Sequence, residues 1–392
     1  MKTFLKTLKL KRRGIALLAG MHFFGNPSAK MKIVGVTGTN GKTSTATMLY
    51  KVATELGYKA GLIGTVENII IKERRPAVMT TPGPIPLHEL LNEMKKKGCE
   101  YVFMEVSSHA IDQDRIAGIN FIGGIFTNLT HDHLDYHKSM ENYFGAKKKF
   151  FKLLSPSAFA LSNIDDEYGA RMLEGIRAKK YTFGFKNNAN FNEKLETKLL
   201  GNFNMYNVLG VYSTAILLGY DKGKVKEILK TIDPPAGRFE YFKSAGGVLG
   251  VVDFAHTPDA VEKIILTARD IAKNGEKIIS VLGCGGDRDP MKRKVMGKLG
   301  ASLSDVVIFT SDNPRSEEPE KIIEAMCSDL SQDEIKKVKK IIDREEAIKE
   351  AGKISKSGDI ILLLGKGHEP YLEIKGIKHP WNDMEKLKQV LS

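Results

Sequence analysis

The sequence predicts an α/β protein built on two mostly parallel sheets. Short β-branched runs alternate with longer amphipathic stretches, as βαβ units require. The runs fall into two series, and a segment that breaks both helix and strand, Asp233-Pro234-Pro235-Ala236-Gly237, divides them. A chain of 392 residues has room for two or three domains at roughly 150 residues each. Hydrophobic residues at 42% and charged residues at 27% are ordinary globular usage, which excludes a disordered, collagen-like or coiled-coil chain.

Residues 1–30 read as a basic segment and a linker. Lys2, Lys6, Lys9, Lys11, Arg12 and Arg13 come with no acid among them and supply nearly half of the net charge of +13. The apolar run after them mimics a signal peptide, but Gly20 and His22 interrupt it and no small-residue cleavage site follows. No run reaches the roughly 20 apolar residues that span a bilayer. For residues 1–13, weak contact with an anionic membrane surface stands beside a solvated charge run. The overall charge suits nucleic acid, a membrane surface or a phosphate-rich substrate, and charge alone does not choose. Cys99, Cys284 and Cys327 lie far apart without C-x-x-C spacing, so a reducing cytoplasm is expected rather than disulfides or a zinc knuckle.

The first domain, 31–235, is expected to hold strands at Ile33–Val36, Tyr101–Val106, Ile122–Leu129 and Ala158–Ile164. Between the first strand and a helix at Thr45–Leu56 stands Thr37-Gly38-Thr39-Asn40-Gly41-Lys42-Thr43-Ser44. Glycines there let backbone N–H groups face phosphate oxygens, Lys42 reaches the terminal phosphates, and Thr43 suits Mg²⁺. The general phosphate-loop pattern wants glycine where this chain has Val36. The reading is a P-loop domain for ATP or GTP. Glu105 ends the second strand, at the carboxyl edge where open α/β sheets bind ligands. The run Thr127 to His137 holds several histidines and aspartates; its irregular spacing argues against zinc and leaves open a polar loop capping a helix near Ser139. Asn204 and Asn207, three apart at a helix start, share a face.

The second domain, 236–392, reads as Rossmann-like, with strands at Val248–Phe254, Lys277–Gly283, Val306–Thr310 and Asp359–Leu364 and a helix at Pro258–Ala272. Gly237-Arg238-Phe239-Glu240 and Asp253-Phe254-Ala255-His256-Thr257-Pro258-Asp259 open it. Three loops follow strands: Gly283 to Asp289, Ser311 to Arg315, and Gly365-Lys366-Gly367-His368-Glu369. Guanidinium groups suit carboxylates and carboxylates suit ammonium groups, so these loops describe a zwitterion pocket.

Together the loop Thr37–Thr43, Gly201 to Asn207, Gly237 to Glu240, Asp253 to Asp259 and Asp312 to Arg315 resemble the Mur ligases, ATP-dependent amide-forming enzymes of peptidoglycan synthesis. The resemblance runs from about Arg13 to the C-terminus. It implies that Gly38, Thr39, Asn40, Gly41, Lys42, Thr43 and Ser44 bind ATP, that Asn204 and Asn207 approach the adenine, that Arg238 meets phosphate, and that Asp253 and His256 lie near ribose and base. Thr43, Glu105, His133 and a Lys147 carbamylated by CO2 would hold Mg²⁺; from the residues alone, Lys147 with Lys148 and Lys149 reads as a solvated charge run. Lys42, Glu105, His133 and Lys147 are the expected catalytic set. Thr80, Thr81, Ser107, Ser108, Gln113, Arg115, Arg288, Asp312, Asn313, Arg315, Gly365 and Glu369 are the expected substrate-binding residues. The D-N-P-R form at Asp312–Arg315 is the family variant associated with meso-diaminopimelate. The implied reaction passes through an acyl phosphate, in a cleft between the domains, on a muramyl-dipeptide-like acceptor.

The family's N-terminal UDP-binding domain of about a hundred residues is expected to be missing before the phosphate loop, which leaves open an acceptor without UDP, a partner for that task, or a pyrophosphate bound by the basic N-terminus. Short spacing from Phe185 to Gly201 suggests trimmed strands. A folate-type or other ligase acting on a non-UDP acceptor is the alternative within the superfamily. A nucleic-acid-binding ATPase is disfavoured because the basic charge is concentrated at the tail and no aromatic platform interleaves it. A cytoplasmic monomer is expected.

Overall fold

A computed structural model describes residues 14–18 and 23–392. The basic run at 1–13, with its expected membrane-surface contact, lies outside the described residues. The chain divides into two compact units, one holding the described residues to Leu199 together with Phe203–Asp233, the other Leu200–Asn202 and Pro234–Ser392.

The first unit contains β1 (Lys32–Thr37), β2 (Ala60–Ile63), β3 (Glu67–Ile70), β4 (Glu73–Pro76), β5 (Tyr101–Glu105), β6 (Phe121–Phe126), β7 (Phe159–Asn163) and β8 (Lys179–Phe183). They form one sheet in the order β4-β3-β2-β5-β1-β6-β7-β8. Pairing is parallel from β2 through β8, whereas β3 and β4 join by antiparallel pairing. Strand β1 is buried on both faces beyond its first residue. Ile33 packs into one core layer with Met104, Phe150 and Phe151; Val34 and Val36 pack into the other with Met48, Leu49 and Val208. A strand sandwiched between helical layers has to read as a continuous apolar run, and this one does.

The edge strand β4 carries charge instead of apolar residues. Arg74 pairs with Glu67 at 2.6 Å, Arg75 with Glu73 at 2.5 Å and Glu93 at 2.6 Å, and Lys97 pairs with Glu73. Strands β2, β3, β4 and β8 were not anticipated, because they are short and β3, β4 and β8 are rich in polar residues. Strand β6 stops at Phe126 rather than Leu129: Thr127 and Asn128 leave the sheet to bind the phosphate loop. Between β8 and helix Asn202–Leu217, the single bridge Phe183–Phe191 is the sheet pairing among the described residues.

The second unit holds β9 (Glu240–Lys243), β10 (Leu249–Asp253), β11 (Ile278–Cys284), β12 (Val306–Ser311), β13 (Val338–Lys340) and β14 (Ile360–Leu364), in the order β13-β12-β11-β14-β10-β9, with β9 antiparallel. Val252, Val281, Ile308 and Leu363 pack against Ala347, Ile348 and Ala351 of helix Arg344–Ile354. Helix Pro258–Ile271 starts at Thr257, whose side chain accepts a bond from Ala260 N, with Pro258 in the first turn. A hairpin, β15 (Tyr371–Ile374) and β16 (Ile377–Pro380), follows. Among the described residues no helix is long and apolar enough to cross a membrane.

Candidate active site

The phosphate loop lies where β1 gives way to helix Lys42–Glu55. A Cβ on Gly38 would sit 1.8 Å from Thr127 Oγ1, and one on Gly41, at φ 83°, would sit 2.4 Å from Asn207 Oδ1. Neither position has room for a side chain. Residues after β6 brace the loop: Asn40 N donates to Asn128 Oδ1 (2.9 Å), while Thr127 Oγ1 and Asn128 Nδ2 donate to Asn40 O (2.6 and 3.1 Å). Gly41 gives the helix no side-chain cap, the arrangement by which a helix N-terminus receives phosphate. Ser44 is buried in the first turn. Asn204 and Asn207 are buried, with Asn207 Nδ2 3.3 Å from Asn204 Oδ1, so the two amides meet beside Gly41.

Two lysines share one carbonyl. Lys42 Nζ donates to Gly38 O (2.9 Å) and Thr39 O (2.7 Å), and Lys147 Nζ donates to the same Gly38 O (2.7 Å). Lys147 is 1% exposed and its Nζ lies 4.4 Å from the Tyr143 ring centre. Burial, and then the charge of Lys42, holds the Lys147 amine far below the usual lysine range, against the opposing pull of Asp132. The solvated charge run read from Lys147–Lys149 is therefore corrected. Helix Met140–Leu153, capped by Ser139, turns Lys147 inward and leaves Lys149 exposed, 3.0 Å from Asp112.

Glu105 ends β5 in a buried position. Its carboxylate accepts bonds from Thr43 Oγ1 (2.9 Å), Thr65 N (2.7 Å) and Thr65 Oγ1 (3.0 Å). Thr65 escaped the sequence reading; its only signal was a Gly-Thr pair after a short apolar run. Thr65 Oγ1 also reaches Thr80 Oγ1 (3.1 Å). Thr81 Oγ1 donates to Glu105 O (2.8 Å) and accepts from Ser107 N (3.1 Å). Arg115 Nη1 donates to Thr81 O (3.0 Å), and its Nη2 donates to Gln113 Oε1 (2.7 Å). Ser108 Oγ lies 3.0 Å from His137 Nε2. Thr43, Glu105, Thr80, Thr81, Ser107, Gln113 and Arg115 are thus joined through hydrogen bonds at the carboxyl edge of the sheet.

His133 takes φ 54° at the start of a short helix, with its ring edge-on to His109 (4.9 Å) and Tyr143 (6.2 Å). Desolvation pushes it down to about 4, aided by His109, Lys42 and Lys147 and opposed by Asp132. A neutral imidazole is the form that ligates a metal. Among the described residues no group of three or more His, Cys, Asp or Glu is disposed to hold a metal. The donors present, a threonine hydroxyl beside one carboxylate, instead fit Mg²⁺, which takes few protein ligands and shares substrate phosphates.

In the second unit, Asp253 ends β10. Its Oδ2 accepts from Phe239 N (2.6 Å), and burial raises it to about 6 against the neighbouring Arg238. Arg238 lies 4.9 Å from the Phe254 ring centre, and the rings of His256 and His368 lie 4.6 and 5.0 Å from it. The two remaining loops converge. Asn313 Nδ2 donates to Glu369 Oε2 (2.7 Å), and Asn313 Oδ1 accepts from Lys366 Nζ (2.9 Å) and Glu373 N (2.8 Å). Gly365 brings its backbone against Asp312: a Cβ there would lie 3.0 Å from Asp312 Oδ2. Arg315, at φ 53°, is gripped by β15. Its N–H donates to Glu373 O (3.2 Å), its carbonyl accepts from Lys375 N (2.8 Å), and its Nη1 donates to Gly286 O (2.6 Å). Arg288 is exposed and joins none of these bonds among the described residues. Beneath the loops, Arg344 and Asp383 form a pair at 2.6 Å with both side chains 0% exposed. Arg344 also donates to Ser311 O (3.2 Å) and Leu364 O (3.3 Å), where the two loops begin.

The family model "Mur ligase middle domain" matches residues 36–215, and "Mur ligase, glutamate ligase domain" matches 237–367. The chain is 49% identical over 387 residues to the UDP-N-acetylmuramoyl-L-alanyl-D-glutamate--2,6-diaminopimelate ligase of Cytophaga hutchinsonii, covering 94% of this chain and 79% of the relative. A solved structure of a ligase of the same description superposes with a TM-score of 0.65 at 28% identity, over 95% of this chain and 82% of that one. An E. coli FolC structure in complex with ADP shares the fold at a TM-score of 0.70 and 17% identity, over 94% of both chains. Motifs, sheet order and relatives agree: the chain belongs to the Mur ligase family.

Proposed function

We propose that this chain is an ATP-dependent amide ligase that adds 2,6-diaminopimelate to a muramyl-dipeptide-like acceptor, as the names of its relatives indicate for them. The assembly of Asp312, Asn313, Glu369 and Arg315 on two adjacent loops carries this reading, because it offers carboxylates for an ammonium group and a guanidinium for a carboxylate that lysine lacks.

Gly38, Thr39, Asn40, Gly41, Lys42, Thr43, Ser44 and Arg238 would hold the ATP phosphates, and Asn204, Asn207, Asp253 and His256 the rest of the nucleotide. Thr43, Glu105, His133 and Lys147 would hold Mg²⁺, which neutralises phosphate charge when bound. Lys147 is buried and held toward its neutral amine. That form reacts with CO2, so carbamylation would turn it into a carboxylate-like oxygen ligand. Lys42 leaves the loop carbonyls for phosphate, while Thr80, Thr81, Ser107, Ser108, Gln113 and Arg115 orient the acceptor. Its carboxylate attacks the γ-phosphorus and ADP leaves as the β,γ bond breaks, giving the acyl phosphate; the neutral amine of the diamino acid then forms the amide, releasing inorganic phosphate and a proton. Positioning and charge neutralisation supply most of what phosphoryl transfer needs. The cysteines Cys99, Cys284 and Cys327 are free, which fits a cytoplasmic enzyme.

The test is phosphate release with ATP, Mg²⁺ and diaminopimelate or lysine, against muramyl dipeptides with and without UDP. Release that depends on both diaminopimelate and acceptor is expected. Release indifferent to the amino acid would overturn the reading.

A further inference from the structure

Gly365-Lys366-Gly367 reads in sequence like a second phosphate loop, yet Lys366 is 0% exposed. Its Nζ donates to Asn313 Oδ1 (2.9 Å) and Glu369 Oε2 (3.2 Å), stands 3.6 Å from Asp312 Oδ1 and lies 5.6 Å from the Tyr371 ring centre. Asp312 Oδ1 is buried and accepts no hydrogen bond from the described residues. A buried carboxylate oxygen in that condition is costly unless a ligand completes it.

Two carboxylates beside one another, Asp312 buried and Glu369 half-buried, disfavour each other's charge unless a cation stands between them. Burial and the neighbouring Asp312 already push Glu369 upward, and Lys366 and Asn313 pull it back. The other groups facing the pair do not supply the missing charge. Arg344 is neutralised by Asp383, Arg315 lies 3.7 Å from Glu373, and the Cys284 thiol is pushed up to about 12 by burial and so stays neutral.

We propose that Lys366 is a positioning residue whose ammonium group stands between Asp312 and Glu369 and offsets one of their two charges, so that the pocket bears one excess negative charge and accepts a single ammonium group. The lysine touches no reacting atom. It fixes the Asn313 amide, holds the two loops together and sets the charge that the diamino acid meets. This inference rests on the diamino-acid reading above.

The test compares the wild type with Lys366→Met and Lys366→Gln in the diaminopimelate-dependent phosphate-release assay, with KM for diaminopimelate and for ATP measured from pH 7 to pH 9. Lys366→Gln keeps a donor for Asn313 and removes only the charge, so it carries the test if Lys366→Met does not melt cooperatively. Without the charge, burial and Asp312 push Glu369 upward with less to oppose them, and KM for diaminopimelate is expected to rise about tenfold. That increase shrinks toward pH 9 as Glu369 gives up its proton, while KM for ATP and kcat stay within about twofold of the wild type. An unchanged KM for diaminopimelate, a KM for ATP that rises in step, or an increase that does not vary with pH overturns the proposal. Failure of the wild type to use diaminopimelate at all overturns the functional reading and takes this inference with it.

Discussion

Replacing Arg344 by methionine is expected to cost the second unit about 3–5 kcal/mol, the usual penalty for removing one partner of a buried ion pair. The magnitude follows from what would be left behind. Asp383, 0% exposed, loses bonds from Nε (2.8 Å) and Nη2 (2.6 Å) and keeps one from Trp381 Nε1 (2.7 Å). Ser311 O and Leu364 O lose donors as well. Against a typical domain stability of roughly 5–15 kcal/mol the loss is severe, and at about 2–4 °C per kcal/mol it lowers Tm by some 6–20 °C. The protein has one tryptophan, Trp381, and it bonds to Asp383 itself. Urea unfolding followed by tryptophan fluorescence therefore reports on this unit. Arg344→Met with Asp383→Leu is expected to recover at least half of the loss, because an apolar pair carries no stranded charge. A single variant within about 1 kcal/mol of wild type, or a double variant no more stable than the single one, would refute the account of the pair as mutually compensating.

Three further outcomes are expected. Lys147→Met should lower turnover on the order of a hundredfold or more while leaving nucleotide binding intact, with partial recovery in bicarbonate plus a short-chain carboxylic acid; full activity in the variant would remove Lys147 from the mechanism. Arg315→Ala should raise KM for diaminopimelate and leave KM for ATP unchanged, and an unaltered diaminopimelate KM would count against a carboxylate contact at that residue. Asp253 is raised to about 6 in the folded protein from an ordinary 3.8, so its ionisation penalises the folded state as pH climbs through that window. Asp253→Asn should therefore gain stability relative to wild type between pH 4 and pH 7, on the order of 3 kcal/mol, and a difference independent of pH in chemical unfolding would exclude this effect.

The long buried strands were legible in the sequence because a strand covered on both faces must be apolar at every position. Ile33–Val36 and Asp359–Leu364 announce themselves in that way. Strand β4, Glu-Arg-Arg-Pro, carries no such signal, since an edge strand is selected by pairing and by charge. Within the site, the phosphate loop was visible because its backbone geometry demands glycines at fixed spacing. Lys147 was not: it and its two neighbours are identical in type, and only the helix phase and the packing around Gly38 decide which one is buried. Lys366 and Arg344 were missed for a related reason. A buried cation is defined by partners distant in the chain, here Asp312, Asn313 and Asp383.

Both rims of the larger sheet are charged. On one side β4 offers Glu73, Arg74 and Arg75 locked into ion pairs and ends at Pro76, and on the other β8 begins with Lys179 and Lys180. A strand from another molecule that docked on β4 would have to strip water from those charges, break the pairs and meet a residue with no N–H to offer, and on β8 it would meet the lysines and an edge that Phe191 already pairs in part. An eight-stranded sheet is a long template for recruitment, and these rims close it. The charged rims therefore act against a failure of assembly, uncontrolled growth of the sheet at the concentrations of a crowded cell, and leave the carboxyl edge free to carry the chemistry.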